Sequence, residues 1–490
     1  MRLSLGAFLV LFAIAGFGVY LMYPAFRTPT PPEFPTPNDQ AEANRQDLAY
    51  LKRALQEMDR SFSSEEWTAF DRQIDDLSKR AGGLDAAALE MGTAKAVAVA
   101  NNGHTNVLGA VRGLTLNSIP LRFYWFADAL HIVKADPAHS DLLGAKVLRV
   151  GGRAPNELAR LLASYVGGSP GLARELGVFL MASPQALHAI GLQDSPSMAE
   201  LAVQTVDGKV IERDVVALAI PATGPPPERT AQTLTFDRRE LYWPRRDLSP
   251  IPLPNQAPYP QPLSDGRQWA HVLDQRAVPI TLQDPNRFYW ATYLTGGKVL
   301  FLQINVMMDE PGREPLRTFL EHAHVEAATR QPRFAVVDLR SAPGGSYQRT
   351  LELTRDLPAL IPEDGKIFVL TSGNTFSAGV VTAARLKYFS GNRGEIVGEP
   401  VGDYPQFWAE AMTRIVLPNS GLRVGYATGY HDWENGCSLR QILVCYPPNY
   451  FMGVAAGDLD PTVPVSWSFA DYLAGRDTVL ERVMRIIAAS

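Results

Sequence analysis

Between residues 298 and 397, short apolar runs alternate with helical stretches, and this alternation constrains the fold more than any other feature. The runs 298–307, 334–339, 366–370 and 395–397 have the length and apolarity of buried strands. Between them, 315–330, 347–357 and a stretch beginning near Ser377 have helical spacing. Strand–helix–strand order of this kind predicts parallel pairings in an α/β layered domain. With 46% hydrophobic and 20% charged residues the chain can fill a core, which excludes a disordered, collagen-like or polytopic membrane protein.

The preceding residues read differently. Leu48, Leu51, Leu55 and Met58 recur at helical spacing, as do Trp67, Phe70, Ile74 and Leu77, so 39–118 is an N-terminal helical region. Ser64 with Glu65 and Glu66 marks a helix start, and Gly82-Gly83 a stop. From 119 to 219 the strands 130–133, 146–150 and 210–218 surround a helical insertion at 156–192. Residues 220–268 are a proline-rich linker or arm, and 269–490 the α/β domain.

Leu3 to Phe26 carries no charge; as a helix it would span roughly 36 Å, enough to cross a bilayer. Residues 1–27 are therefore a membrane anchor, or a signal segment cleaved near Ala13-Ile14-Ala15. Either reading predicts an extracytoplasmic bulk, periplasmic or at the cell surface, secreted if the segment is removed. Residues 28–38 hold five prolines and predict a stiff spacer. Cys437 and Cys445, eight apart, predict a disulfide in an oxidising space, with two buried thiols as the alternative. The net charge of −5, with no basic run, excludes nucleic acid as partner. No metal-ligand cluster or phosphate loop occurs, so no metal and no cofactor is expected.

Two adjacent strand-to-helix loops carry the chemistry. In 337–345 a strand runs into Pro343-Gly344-Gly345, where glycines can turn backbone N–H groups toward a developing negative charge. The plainer reading is an ordinary turn. In 370–379 a serine, Ser377, stands at a helix start, where it is either a cap or a nucleophile.

DLRSAPGG followed by LTSGNTFSAG resembles the tail-specific, carboxyl-terminal-processing serine protease family, including its tricorn-like, histidine-using branch. The ending agrees: Asp460-Pro461, Val463-Pro464-Val465, Asp471-Tyr472, then Gly475-Arg476-Asp477 with Leu480. Asn102-Gly103-His104-Thr105 resembles the family's D-G-H-T element, and 145–152 the core of a PDZ domain. The likeness covers roughly residues 40 to 490. It implies a crotonase-like ββα-layered protease domain, an interrupted PDZ-like domain and an N-terminal helical cap.

By that resemblance Ser377 is the nucleophile, and the Gly345 and Ala378 N–H groups form the oxyanion hole. The family activates its serine by a lysine about 25 positions downstream or by a histidine. Lys387 is the one lysine after Ser377, ten residues along the same helix and so roughly 15 Å away. His104 is then the base, with His431 as the alternative and Glu434 or Asp432 as third group. Departures are Ala342 for asparagine, Asn102 for aspartate and Val380 for glutamate. The expected activity is endopeptidase cleavage of a peptide or protein substrate, with the PDZ-like module binding an extended segment. A non-catalytic peptide- or ligand-binding protein on the same fold is the rival, and the oligomeric state is not fixed by the sequence.

Overall fold

The computed structural model describes residues 16, 27, 29–107, 115–218, 269–283, 287–411, 413–441, 443–451 and 453–490. The expected anchor, except residues 16 and 27, and the proline-rich arm at 220–268 lie outside the described residues, apart from the arm's boundary with Trp269. Among the described residues no helix is long and apolar enough to cross a membrane. The contacts divide the chain into two units, Met1–Leu108 with Tyr404–Asp458, and Gly109–Asp403 with Leu459–Ser490. Residues 404–458, assigned above to a continuous 269–490 domain, group instead with the N-terminal helices.

In the first unit, the helices Gln40–Met58, Ser64–Lys79 and Ala86–Val97 start where side chains satisfy their orphan N–H groups. Asp39 accepts from Glu42 N, Asp85 from Ala88 N, and Ser63 forms a reciprocal capping box with Glu66. Their apolar faces bury Leu48, Leu51, Leu55, Met58, Phe70, Ile74 and Leu77 against Ile415, Leu417, Leu422, Val424 and Tyr426. Buried Asp47 ties the layers by accepting from the backbone N–H of Asn419 and of Ser420, each at 2.8 Å. The proline segment is no free stalk: Tyr50 Oη donates to Pro29 O and Gln46 Nε2 to Pro35 O, so it lies along the first helix. An antiparallel pair, Gln406–Ala409 with Gly429–Asp432, follows, and a disulfide joins Cys437 to Cys445.

The second unit holds two six-stranded sheets. In the first, Val463–Pro464, Gly394–Gly398, Lys366–Thr371, Phe334–Asp338 and Val299–Ile304 run parallel, with antiparallel Tyr289–Leu294 at the edge. Val299–Ile304 and Phe334–Asp338 are buried throughout, as expected of parallel strands covered on both faces. The second sheet is antiparallel and ordered Leu121–Trp125, Leu130–Ala135, Lys146–Val150, Met198–Gln204 and Val210–Val216, with Ala270–His271 beside Leu130–Ala135. Three helices, Pro155–Ala163, Pro170–Met181 and Pro184–Ala189, interrupt it; each opens with proline at its first turn, where a missing N–H costs nothing.

Candidate active site

Strands Phe334–Asp338 and Lys366–Thr371 are parallel neighbours, so the loops after them emerge side by side. Three hydrogen bonds stitch those loops together. Thr375 Oγ1 donates to Leu339 O at 2.8 Å, Ser372 Oγ to Arg340 O at 2.7 Å, and Phe376 N–H to Ala342 O at 2.9 Å. Ala342 does this through its backbone, so the missing asparagine side chain leaves the stitch intact.

Ser377 ends the second loop at φ 54° and ψ −118°, in the left-handed half of φ space that a non-glycine residue enters only at a cost. Its side chain makes no capping bond to the helix Ala378–Ser390. The cap reading of this serine therefore fails. Gly344 and Gly345 carry φ of 131° and 127°, and a side chain at Gly344 would stand 3.2 Å from Ser377 Oγ. Met307 N–H takes the Gly344 carbonyl at 3.0 Å. Because the peptide is planar and trans, the Gly345 N–H points away from Met307. Ala378 supplies the first N–H of a 13-residue helix, at its positive end.

Beneath the loops, Arg340 is held between two carboxylates. Its Nε and Nη2 bind Asp338 at 3.0 and 2.7 Å, and its Nη1 and Nη2 bind Asp477 at 3.0 and 2.7 Å. Burial opposes the guanidinium's charge, but the two carboxylates outweigh it and hold its pKa well above the ordinary value. Asp477 also caps the helix Thr478–Ala488 and accepts from Thr281 Oγ1 at 2.9 Å. The Asp-Leu-Arg turn and the distant Gly-Arg-Asp segment are thus one structural element.

The histidines and acidic residues singled out above lie in the first unit. The Gly-His-Thr turn is fixed through Thr105, whose Oγ1 donates to buried Asp59 at 2.7 Å and accepts from Asn102 Nδ2 at 3.0 Å. Asp59 also receives Ala427 N–H, and burial raises its pKa despite these bonds. His104 is half-buried and stacks on Phe407, whose other face carries His431, with ring centroids 5.4 and 4.7 Å apart. Burial, with Arg414 and the His431 ring nearby, lowers the His104 pKa to about 3, so the imidazole is neutral at pH 7.

His431 is buried and committed at both nitrogens. Trp433 Nε1–H donates to Nδ1 at 3.2 Å, so Nδ1 is the acceptor and Nε2 carries the proton, which it donates to Glu410 Oε1 at 3.0 Å. Asp432, one residue along the strand, points to the opposite side and accepts from Asn435 N–H and Gln441 Nε2. It does not pair with His431; Glu410 does. Glu434 makes no side-chain hydrogen bond among the described residues, and its charge is felt by Tyr430. Glu410 was missed because nothing local marks it: it meets His431 only through the antiparallel pairing, and its φ of 65° is invisible in the sequence.

No group of three or more histidine, cysteine or acidic side chains suited to a metal occurs among the described residues. No protein-family model and no curated protein matches the chain. Among solved structures, mature CPAF complexed with lactacystin matches at a TM-score of 0.55 and 12% identity, over 91% of this chain and 98% of that one. The s499a mutant of CPAF matches at 0.56 and 13%, over 92% and 97%. The photosystem II D1 C-terminal processing protease covers 89% and 98% at a TM-score of 0.36 and 13% identity. The chain thus shares the fold of mature CPAF across nearly its whole length.

Proposed function

We propose that this chain is a serine peptidase of the tail-specific, carboxyl-terminal-processing family. The observation that carries the reading is Ser377: a serine in a strained conformation at a helix start, uncapped, beside the Gly344-Gly345 turn. Helix capping alone gives no reason to hold serine there. In the proposed cycle Ser377 Oγ attacks the peptide carbonyl carbon while His104 accepts its proton. The Gly345 and Ala378 N–H groups bind the oxyanion. The imidazolium then protonates the leaving amine, and water, deprotonated by the same imidazole, releases the acyl group. His104 is preferred over His431 because both His431 nitrogens are committed. Of the two acidic candidates for third group, Glu434 is preferred, since Asp432 is engaged by its own turn.

The parallel sheet with its helices is read as a crotonase-like layer, and the antiparallel sheet as an interrupted PDZ-like module that adds an extended substrate strand. Placement outside the cytoplasm, anchored through residues 1–27, rests on the uncharged run and agrees with the Cys437–Cys445 disulfide. A fluorophosphonate probe applied to wild type, Ser377→Ala and His104→Ala tests the assignment. Labelling is expected in wild type, absent without Ser377 and strongly slowed without His104. Equal labelling of all three overturns it and leaves the binding-protein reading.

A further inference from the structure

The helix Pro170–Met181, inserted within the antiparallel sheet, packs directly on the loop that leads to Ser377. A side chain at Gly373 would stand 2.8 Å from Gly171 O and 2.9 Å from Glu175 Cγ; one at Gly171 would stand 3.3 Å from Val401 O. Only glycines allow this approach of backbone to backbone. Across the contact Asn374 Nδ2 donates to Glu175 Oε2 at 3.0 Å, and this bond spans 199 residues of sequence. Asn374 is buried, and its backbone N–H donates to Ser372 Oγ, which itself donates to Arg340 O. Helix 170–181 is held in turn by Arg174, whose guanidinium lies 3.9 Å over the Trp125 ring.

We infer that Glu175 is a positioning residue for the nucleophile loop: through Asn374 it sets the geometry of 372–377 from a helix belonging to the neighbouring sheet. The inference rests on the peptidase reading only for its catalytic consequence. The acidity of the site supports it. A cavity of about 40 Å³ beside the loop is lined by Asn374, Glu399, Tyr124, Trp125, Arg340 and Asp338. Burial and the nearby Glu399 charge push the Glu175 pKa up to about 7, against the pull of Asn374 and Arg174. Burial and the two glutamates likewise keep the Tyr124 hydroxyl protonated. The ionised Glu175 accepts the Asn374 amide by a charge-assisted bond, stronger than the one its neutral form makes. The loop is therefore held best above neutral pH.

Two readouts on the full chain test this. The first is the rate of fluorophosphonate labelling between pH 5 and 9. Wild type should show a rise centred near pH 7. Glu175→Gln, which keeps an acceptor but no charge, should lose that rise and label roughly threefold more slowly at pH 8; Glu175→Ala should be roughly tenfold or more slower. The second is hydrogen exchange of the Thr375 and Phe376 amides, which should quicken in Glu175→Ala while the thermal midpoint stays near wild type. Gly171→Ala, which pushes the helix off the loop without touching the carboxylate, should quicken the same amides. Wild-type exchange in Glu175→Ala overturns the inference whatever the labelling shows. Quickened exchange in a chain whose wild type does not label at all would overturn the peptidase reading and leave the positioning role standing.

Discussion

Arg340 grips Asp477 with two parallel hydrogen bonds, Nη1 to Oδ1 at 3.0 Å and Nη2 to Oδ2 at 2.7 Å, across 137 residues of sequence. Both side chains are nearly inaccessible, at 11% and 3% exposure, and the same guanidinium holds Asp338. Asp477→Ala leaves Arg340 paired with Asp338 but removes the fork, the cap of helix Thr478–Ala488 and the acceptor of Thr281 Oγ1, so it should destabilise the second unit by about 2–4 kcal/mol. Urea denaturation measures this, and a loss below about 1 kcal/mol would show that the fork contributes nothing beyond shape.

Ser377 presents the opposite case, a residue whose replacement should help. Glycine enters positive φ without the Cβ penalty, so Ser377→Gly should gain about 1 kcal/mol of stability while losing all fluorophosphonate labelling. Ser377→Ala keeps the strain and should gain little. If glycine and alanine behave alike in denaturation, the strain is not stored at this residue.

The pH profile should carry the mark of His104. In the proposed cycle the neutral imidazole is the base, and burial lowers its pKa to about 3. In Glu175→Gln, where the limb near pH 7 is removed, labelling should stay level down to about pH 4 and fall only below it. A half-loss near pH 6.5 would mean an ordinary, solvated histidine. The folded pKa lies below the unfolded one, so this group costs stability progressively as pH falls from about 6.5 to 3.

Lys134 carries a different cost. It is buried at 6% exposure, opposite Arg122 and His271 on adjacent strands, and makes no hydrogen bond or ion pair among the described residues. Burial first, then the Arg122 charge, lowers its pKa to about 7 against the attraction of Asp274. The unfolded lysine binds its proton up to about pH 10.4, so wild-type stability should climb between pH 7 and 10. Lys134→Met should be more stable than wild type at pH 7 and lose that climb. A destabilised methionine variant would refute this.

Much of the fold is legible because each element announces itself locally. Val299–Ile304 and Phe334–Asp338 are apolar runs of strand length, and Asp39, Ser63 and Asp85 cap helices within reach of their own sequence. Met198–Gln204 and Tyr289–Leu294 are harder: exposed or half-buried positions break their apolar pattern, and partner strands make up the difference. The serine loop is legible as a motif, yet sequence cannot tell a cap from a strained serine, since both occupy a helix start; a backbone angle decides. Glu410 and Glu175 are illegible, because each acquires its role from a side chain 21 or 199 residues away.

The buried bonds of Asp59 and Arg340 also impose an order in time. Asp59, which fixes the Gly-His-Thr turn, must wait 368 residues of synthesis for Ala427, and Arg340 waits 137 for Asp477. A nascent chain that has already made His104 therefore lacks part of the network around its turn, and one that has made Ser377 lacks the carboxylate that grips Arg340. Translation itself thus sets the order in which these two buried networks can close.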